Sequence, residues 1–112
     1  MKNDTTKKEL LQWLTENSSW DELELATITI DGKTHQYNWY QAKQIYLGLQ
    51  AGIDVSIYAD PEFEFDQMKE IKDGLVNRVD ARLYADPKLS ADEMYHMRDS
   101  LEDNNSSEYP YY

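Results

Sequence analysis

A 26-residue period constrains this chain more than any other feature. Set in register, residues 41–66 (QAKQIYLGLQAGIDVSIYADPEFEFD) and 67–92 (QMKEIKDGLVNRVDARLYADPKLSAD) agree at 11 of 26 positions. The agreements include Gln41/Gln67, Ile45/Ile71, Gly48/Gly74, Asp54/Asp80 and the run Tyr-Ala-Asp-Pro, at 58–61 and again at 84–87. A truncated third copy starts at Glu93, where Met94, Met97 and Leu101 match Met68, Ile71 and Leu75. Self-similarity at such a period marks stacked supersecondary units, each burying its apolar face against the next.

Each copy opens on the same signal. Asn38 with Gln41, Glu64 with Gln67 and Ser90 with Glu93 have capping-box spacing, in which the cap and the residue three further on satisfy orphan amides. Glu64 is the poor cap of the three. Met68, Ile71, Leu75 and Val79, then Met94, Met97 and Leu101, follow at helical spacing, so each helix has one apolar stripe. Helices are expected over 39–51, 65–78 and 91–103. The segments between them are too short for another full helix, and Asp54 and Asp80 are placed to cap a single turn ending at Asp-Pro. Gly48 and Gly74 would permit close approach of neighbouring helices.

Residues 1–40 follow other rules. Thr6 with Glu9 caps a helix bearing Leu10, Leu11, Trp13 and Leu14, stopped by Asn17-Ser18-Ser19. Residues 23–30 alternate, with Ile28 and Ile30 on one face and Thr27 and Thr29 on the other. Asp31-Gly32 then supplies the positive-φ pair of a tight turn before a strand over 33–37. Two strands alone are marginal, so the hairpin must pack on helices. The expectation is one α+β domain over 1–102: an N-terminal helix and β-hairpin over 1–40, repeats over 41–66 and 67–92, and a partial one over 93–102. The run DNNSSEYPYY, 103–112, lacks periodicity and reads as a flexible tail.

Composition narrows the function. Eleven Lys plus Arg face 22 Asp plus Glu, a formal charge of −11. That balance opposes direct binding to duplex DNA or an anionic membrane and points to basic partners. Residues 1–40 hold seven acids and four bases, and 41–112 hold fifteen and seven, so the second part carries the field. The absence of Cys removes disulfide frameworks and thiolate metal sites. No run approaches the ~20 apolar residues of a membrane span, and the start MKNDTTKKELLQWL is amphipathic, unlike a secretion signal. A cytoplasmic protein is expected.

Asp60, Glu62, Glu64 and Asp66 alternate as the ligands of a calcium loop do, yet counted from Asp60 the required Gly position holds Phe65 and the bidentate Glu position holds Ile71. No metal and no cofactor is expected. His35 on a strand and His96 on a helix have no nucleophile or phosphate loop near them in sequence, so catalysis is not expected. A nuclease using His and carboxylates is the one enzymatic alternative. The candidate partner-binding residues are Asp54, Tyr58, Asp60, Glu62, Glu64 and Asp66, five acids with no base between them and one recurrent tyrosine. Tyr58 and Tyr84 also read as rings packed between helices with wet hydroxyls.

The pattern Gly52, Asp54, Val55, Ser56, Tyr58, Ala59, Asp60, Pro61, Phe63, Gln67, Met68, Ile71, Gly74 and Leu75 resembles a YADP-type repeat of proteins on plasmids and integrative elements of Gram-positive bacteria. The likeness covers 41–102; the second copy departs at Arg78, Ala81 and Arg82. A short acidic version preceded by a helix and hairpin looks like the small anti-CRISPR inhibitors of type II-A Cas9. The resemblance implies a Cas9 partner with or without guide RNA, whose channels are basic. Two alternatives are an acidic DNA mimic acting in antirestriction and an interaction scaffold of a mobile element.

Overall fold

The computed structural model describes residues 3–18 and 24–106. It is an α+β arrangement of four helices and one antiparallel hairpin: α1 (Lys7–Glu16), β1 (Ala26–Ile30), β2 (Lys33–Tyr37), α2 (Trp39–Ala51), α3 (Phe65–Val76) and α4 (Ala91–Ser106). Short 3₁₀ turns, Val55–Ile57 and Ala81–Leu83, follow α2 and α3. The helices pack in chain order, α1 on α2, α2 on α3 and α3 on α4.

Capping chemistry sets the helix starts. Thr6 Oγ1 accepts from the Glu9 amide (3.1 Å) while Glu9 accepts from the Thr6 amide (2.8 Å). Asn38 and Gln41 exchange the same pair at 2.8 and 2.9 Å, and Ser90 and Glu93 at 3.1 and 2.9 Å. At the poor cap the Gln67 side chain still accepts the Glu64 amide (2.7 Å), but the Gln67 amide goes to the Asp66 carboxylate (2.8 Å). A neighbouring acid thus supplies what Glu64 was least suited to give.

The hairpin is shorter than its alternation suggests. Its strand begins at Ala26; residues 24–25 lie outside it, and 19–23 lie outside the described residues. Register runs from Ala26↔Tyr37 to Ile30↔Lys33 across the positive-φ pair Asp31 and Gly32. Thr29 was expected on the outer face yet is buried, because residues 4–5 run along that edge. Thr5 donates its amide to the Thr29 carbonyl and accepts the Thr29 amide on Oγ1, both at 2.8 Å. Asp4 takes the amides of Asp31 (2.8 Å) and Gly32 (3.0 Å), clasping the turn. The hairpin packs on helices through Ile28, Ile30 and Tyr37, all in the core. Trp39 ties α1 to α2 by donating its indole N–H to the carbonyls of Leu14 (3.2 Å) and Asn17 (3.1 Å).

From residue 38 onward, contacts recur at 26-residue intervals. Gln41 Nε2 donates to the carbonyls of Pro61 and Phe63, and Gln67 Nε2 to those of Pro87 and Leu89. Tyr58 donates to the Gln44 carbonyl (2.6 Å) and Tyr84 to that of Glu70 (2.7 Å), so neither hydroxyl is wet as the sequence suggested. A Cβ added to Gly48 would fall on the Tyr58 hydroxyl, and one on Gly74 would fall on that of Tyr84. The glycines therefore make room for a tyrosine on their own helix, a role different from the helix–helix approach expected of them. Both helices end alike, with a left-handed residue, Gly52 (φ 75°) or Arg78 (φ 64°), and an amide returning to the glycine carbonyl. That turn ends α3 at Val76, two residues before its expected limit. At the other end, α4 continues to Ser106, past the expected start of the tail at Asp103, and Glu102 in its last turns is held by Arg98 (2.8 Å) and Asn77 (2.8 Å). The rest of the tail, 107–112, lies outside the described residues.

Burial raises the pKa of three core phenols. Tyr37 is pushed up to about 12, with Asp60 adding to the effect, and Tyr58 and Tyr84 are pushed higher for the same leading reason. An unfolded tyrosine ionises near ~10. The stability tied to these groups is therefore intact below about pH 10 and is lost as pH rises through the folded values. Absorbance titration should show these three phenols ionising last, together with loss of the helical circular dichroism; their ionisation near pH 10 with the fold intact would contradict the packing.

Candidate functional site

The carboxylates singled out in the sequence all sit at the starts of turns and helices, where free amides attract them. Asp54 accepts the amide (3.1 Å) and hydroxyl of Ser56, and Asp60 accepts the Glu62 amide at 2.9 Å. Asp66 lies in the first turn of α3. Local hydrogen bonding fixes Asp54, Asp60 and Asp66 before any partner is considered.

They do not form one continuous ridge. Glu62, Glu64 and Asp66 are exposed and line one groove with Pro87 and Ser90 of the next segment. Half-buried Asp60 lines a different cleft, between the turn 55–57 and the hairpin, near Lys33 and His35. Asp54 lines a third, together with Asp4 and Asp31. The last two acids extend the negative field and were missed in the sequence, because only the clasp of residues 4–5 on the hairpin carries them there.

Tyr58 does not belong with this surface. Its ring is fully buried and its hydroxyl is consumed by the Gln44 carbonyl, so it presents nothing to a partner. The partner-binding role expected for Tyr58 is replaced by a core role, for the packing reason that Gly48 leaves a space only this ring fills.

Several bases pair with acids outside this set. Lys69 pairs with Asp73 (2.9 Å), Arg82 with Asp80 (2.9 Å), and Arg98 with both Glu70 (3.0 Å) and Glu102 (2.8 Å). Hydrogen bonds from Arg82 hold the Asp80 carboxyl below its usual range, and Asn77 with Arg98 do the same for Glu102. Lys43 lies 5.4 Å from the centre of the Trp39 ring. Among the described residues, none of Asp54, Asp60, Glu62, Glu64 and Asp66 forms an ion pair. Residues 67–92 balance five acids with five bases, whereas 41–66 set one base, Lys43, against five acids, four of them exposed.

Other chemistry has little to build on. Among the described residues no three His, Asp or Glu side chains are grouped to hold a metal ion. His96 is exposed, 3.7 Å from Asp92, and His35 packs edge-on to Tyr37 with ring centres 6.4 Å apart. Among the described residues no helix is long and apolar enough to cross a membrane. Comparison with protein-family models, with curated proteins and with solved structures finds no match to this chain.

Proposed function

We propose that the chain acts by binding rather than by catalysis, as an anti-CRISPR inhibitor of a type II-A Cas9 effector in the cytoplasm of a bacterial cell. In this reading 41–66 and 67–92 are copies of one mobile-element repeat module, and the partner surface is basic protein or guide-loaded ribonucleoprotein. The observation that carries it is the groove of Glu62, Glu64 and Asp66, three exposed carboxylates without ion pairs on a chain of charge −11. Such a field steers association with a basic channel.

A DNA cleavage assay tests it, with the protein added before or after guide RNA loading. Inhibition only before loading assigns the target to guide assembly; inhibition after loading assigns it to the loaded effector. No inhibition across several type II-A effectors removes the proposal. The groove's share is measured with the triple variant Glu62→Gln, Glu64→Gln, Asp66→Asn, which keeps the hydrogen-bond acceptor at 66. Association with the effector should slow roughly tenfold at low salt and depend less on salt, because steering scales with charge. Stability should stay within about 0.5 kcal/mol, as for ordinary surface changes. An unchanged on-rate would place the contact elsewhere on the molecule.

A further inference from the structure

One edge of the stack carries an aromatic row that the core uses only at one end. The first residues of α2 and α3 are Trp39 and Phe65, and Tyr40 bridges them. Its ring centre is 5.5 Å from that of Trp39, edge-on, and 5.3 Å from that of Phe65, tilted by 36°. Trp39 is half-buried and tied inward by its indole N–H, whereas Tyr40 and Phe65 are 46% and 45% exposed. The row stops at α4, whose first residue, Ala91, lines the carboxylate groove instead. Glu64 and Asp66, on either side of Phe65 in the chain, line that same groove. Exposed aromatics in mutual contact and bordered by charge mark an interaction surface, unlike a scattered apolar side chain.

We propose that Tyr40 and Phe65 receive an arginine of the basic partner, its guanidinium stacked on the ring pair and donating to Glu64 or Asp66. This deepens the reading of the groove as the partner surface and rests on it, but not on which protein the partner is. The chain already contains such an arrangement. The Arg98 guanidinium lies 5.3 Å from the centre of the Tyr95 ring while it donates to Glu70 (3.0 Å) and Glu102 (2.8 Å). Among the described residues neither Tyr40 nor Phe65 carries a cation. The lysines one turn further on are engaged, Lys43 over Trp39 and Lys69 with Asp73.

Charge selects the occupant. The starts of α2 and α3 oppose a cation with about half a charge each, whereas Glu62, Glu64 and Asp66 attract it with three full charges that no ion pair offsets among the described residues. A nucleobase could stack on the same rings but would bring its phosphates toward those carboxylates, and a second copy would bring a charge of −11. Arginine suits the pair better than lysine, because its planar, weakly hydrated head stacks on an aromatic face and still donates in its own plane to a carboxylate.

Full-length protein with ¹³C-labelled aromatic rings, titrated with acetylated and amidated tetra-arginine and tetra-lysine peptides of equal charge, provides the test. The arginine peptide should shift the ring resonances of Tyr40 and Phe65 saturably and bind about two- to fivefold more tightly than the lysine peptide, the size of an exposed cation–π contact. Tyr40→Ala with Phe65→Ala should abolish that preference and leave the lysine affinity unchanged, and Glu64→Gln with Asp66→Asn should weaken both peptides. Both variants should keep the core methyl signals of Ile28 and Ile45, which reports an intact fold. Equal affinities with unmoved rings overturn the proposal, as does an arginine preference that survives loss of both rings or peptide binding that ignores the two acids. Ring shifts from oligouridine as large as those from arginine would assign the pair to a nucleobase, and ring shifts that follow protein concentration without peptide would assign it to a second copy; either result overturns it. No Cas9 enters the titration, so failure here is distinct from failure to inhibit cleavage.

Discussion

Alanine at Gly48 will destabilise the protein by about 3 kcal/mol, the upper end of the cost of overpacking a core. The direction is opposite to propensity, since Gly→Ala in an exposed helix interior gains about 1 kcal/mol. The new methyl would meet the Tyr58 hydroxyl and stand 2.6 Å from Val55 Cγ1. At Gly74 the hydroxyl of Tyr84 is again in the way, but Ala81 Cβ is 3.5 Å off, an ordinary contact. The two sites should therefore separate under rescue. Tyr84→Phe, by removing the hydroxyl, should restore part of the stability lost in Gly74→Ala, the ring carbon Cζ at 3.2 Å remaining close. Tyr58→Phe should leave Gly48→Ala impaired, because Val55 remains. Urea denaturation of the four single and two double variants reads the result. A raised midpoint for either glycine variant would contradict the tyrosine sockets.

Removing the Gln67 side chain will cost about 3–4 kcal/mol, because one buried amide serves three backbone groups. Its Nε2 donates to the carbonyls of Pro87 (3.1 Å) and Leu89 (2.6 Å), and its Oε1 accepts the Glu64 amide (2.7 Å). Each orphaned group costs about 1–3 kcal/mol, reduced where water enters. Gln67→Glu is the sharper probe. A carboxylate there would face two carbonyl oxygens in a buried site, so both burial and repulsion favour its protonated form and raise its folded pKa. Stability should be close to the parent's at pH 4 and fall as pH rises to 7, measured as the difference from the parent at each pH. A difference that does not change with pH would mean that the side chain has left its two carbonyls.

Helix positions were legible because the caps are local. The Thr6, Asn38 and Ser90 boxes need only residues within three positions of one another, and the stripes of Met68, Ile71 and Met94 need only one turn of spacing. The expected ends erred where a distant or neighbouring contact decided. Arg78 takes a left-handed turn that stops α3 early, and Asn77 and Arg98 hold Glu102 as α4 runs on. The acidic site was legible as a composition but not as a shape. Alternation in sequence said nothing about the corner that turns Asp60 toward the hairpin and Glu62, Glu64 and Asp66 toward Pro87. Tyr58 was ambiguous for a related reason. A recurrent tyrosine fits both a contact surface and a socket, and only the space left by Gly48, ten residues earlier, decides between them.

The amide of Gln67 reaches no further than Leu89, and the hydroxyl of Tyr84 no further than Glu70. Such bonds join residues 14 to 22 positions apart, so nothing among them spans the stack from end to end. Each such bond is local to one helix and the turn or helix that follows it. A chain with one more 26-residue unit spliced in after Asp92 would add one helix layer, about 8–10 Å, while leaving the hairpin end and the α4 end chemically unchanged. The separation between those two ends would then grow by that one layer.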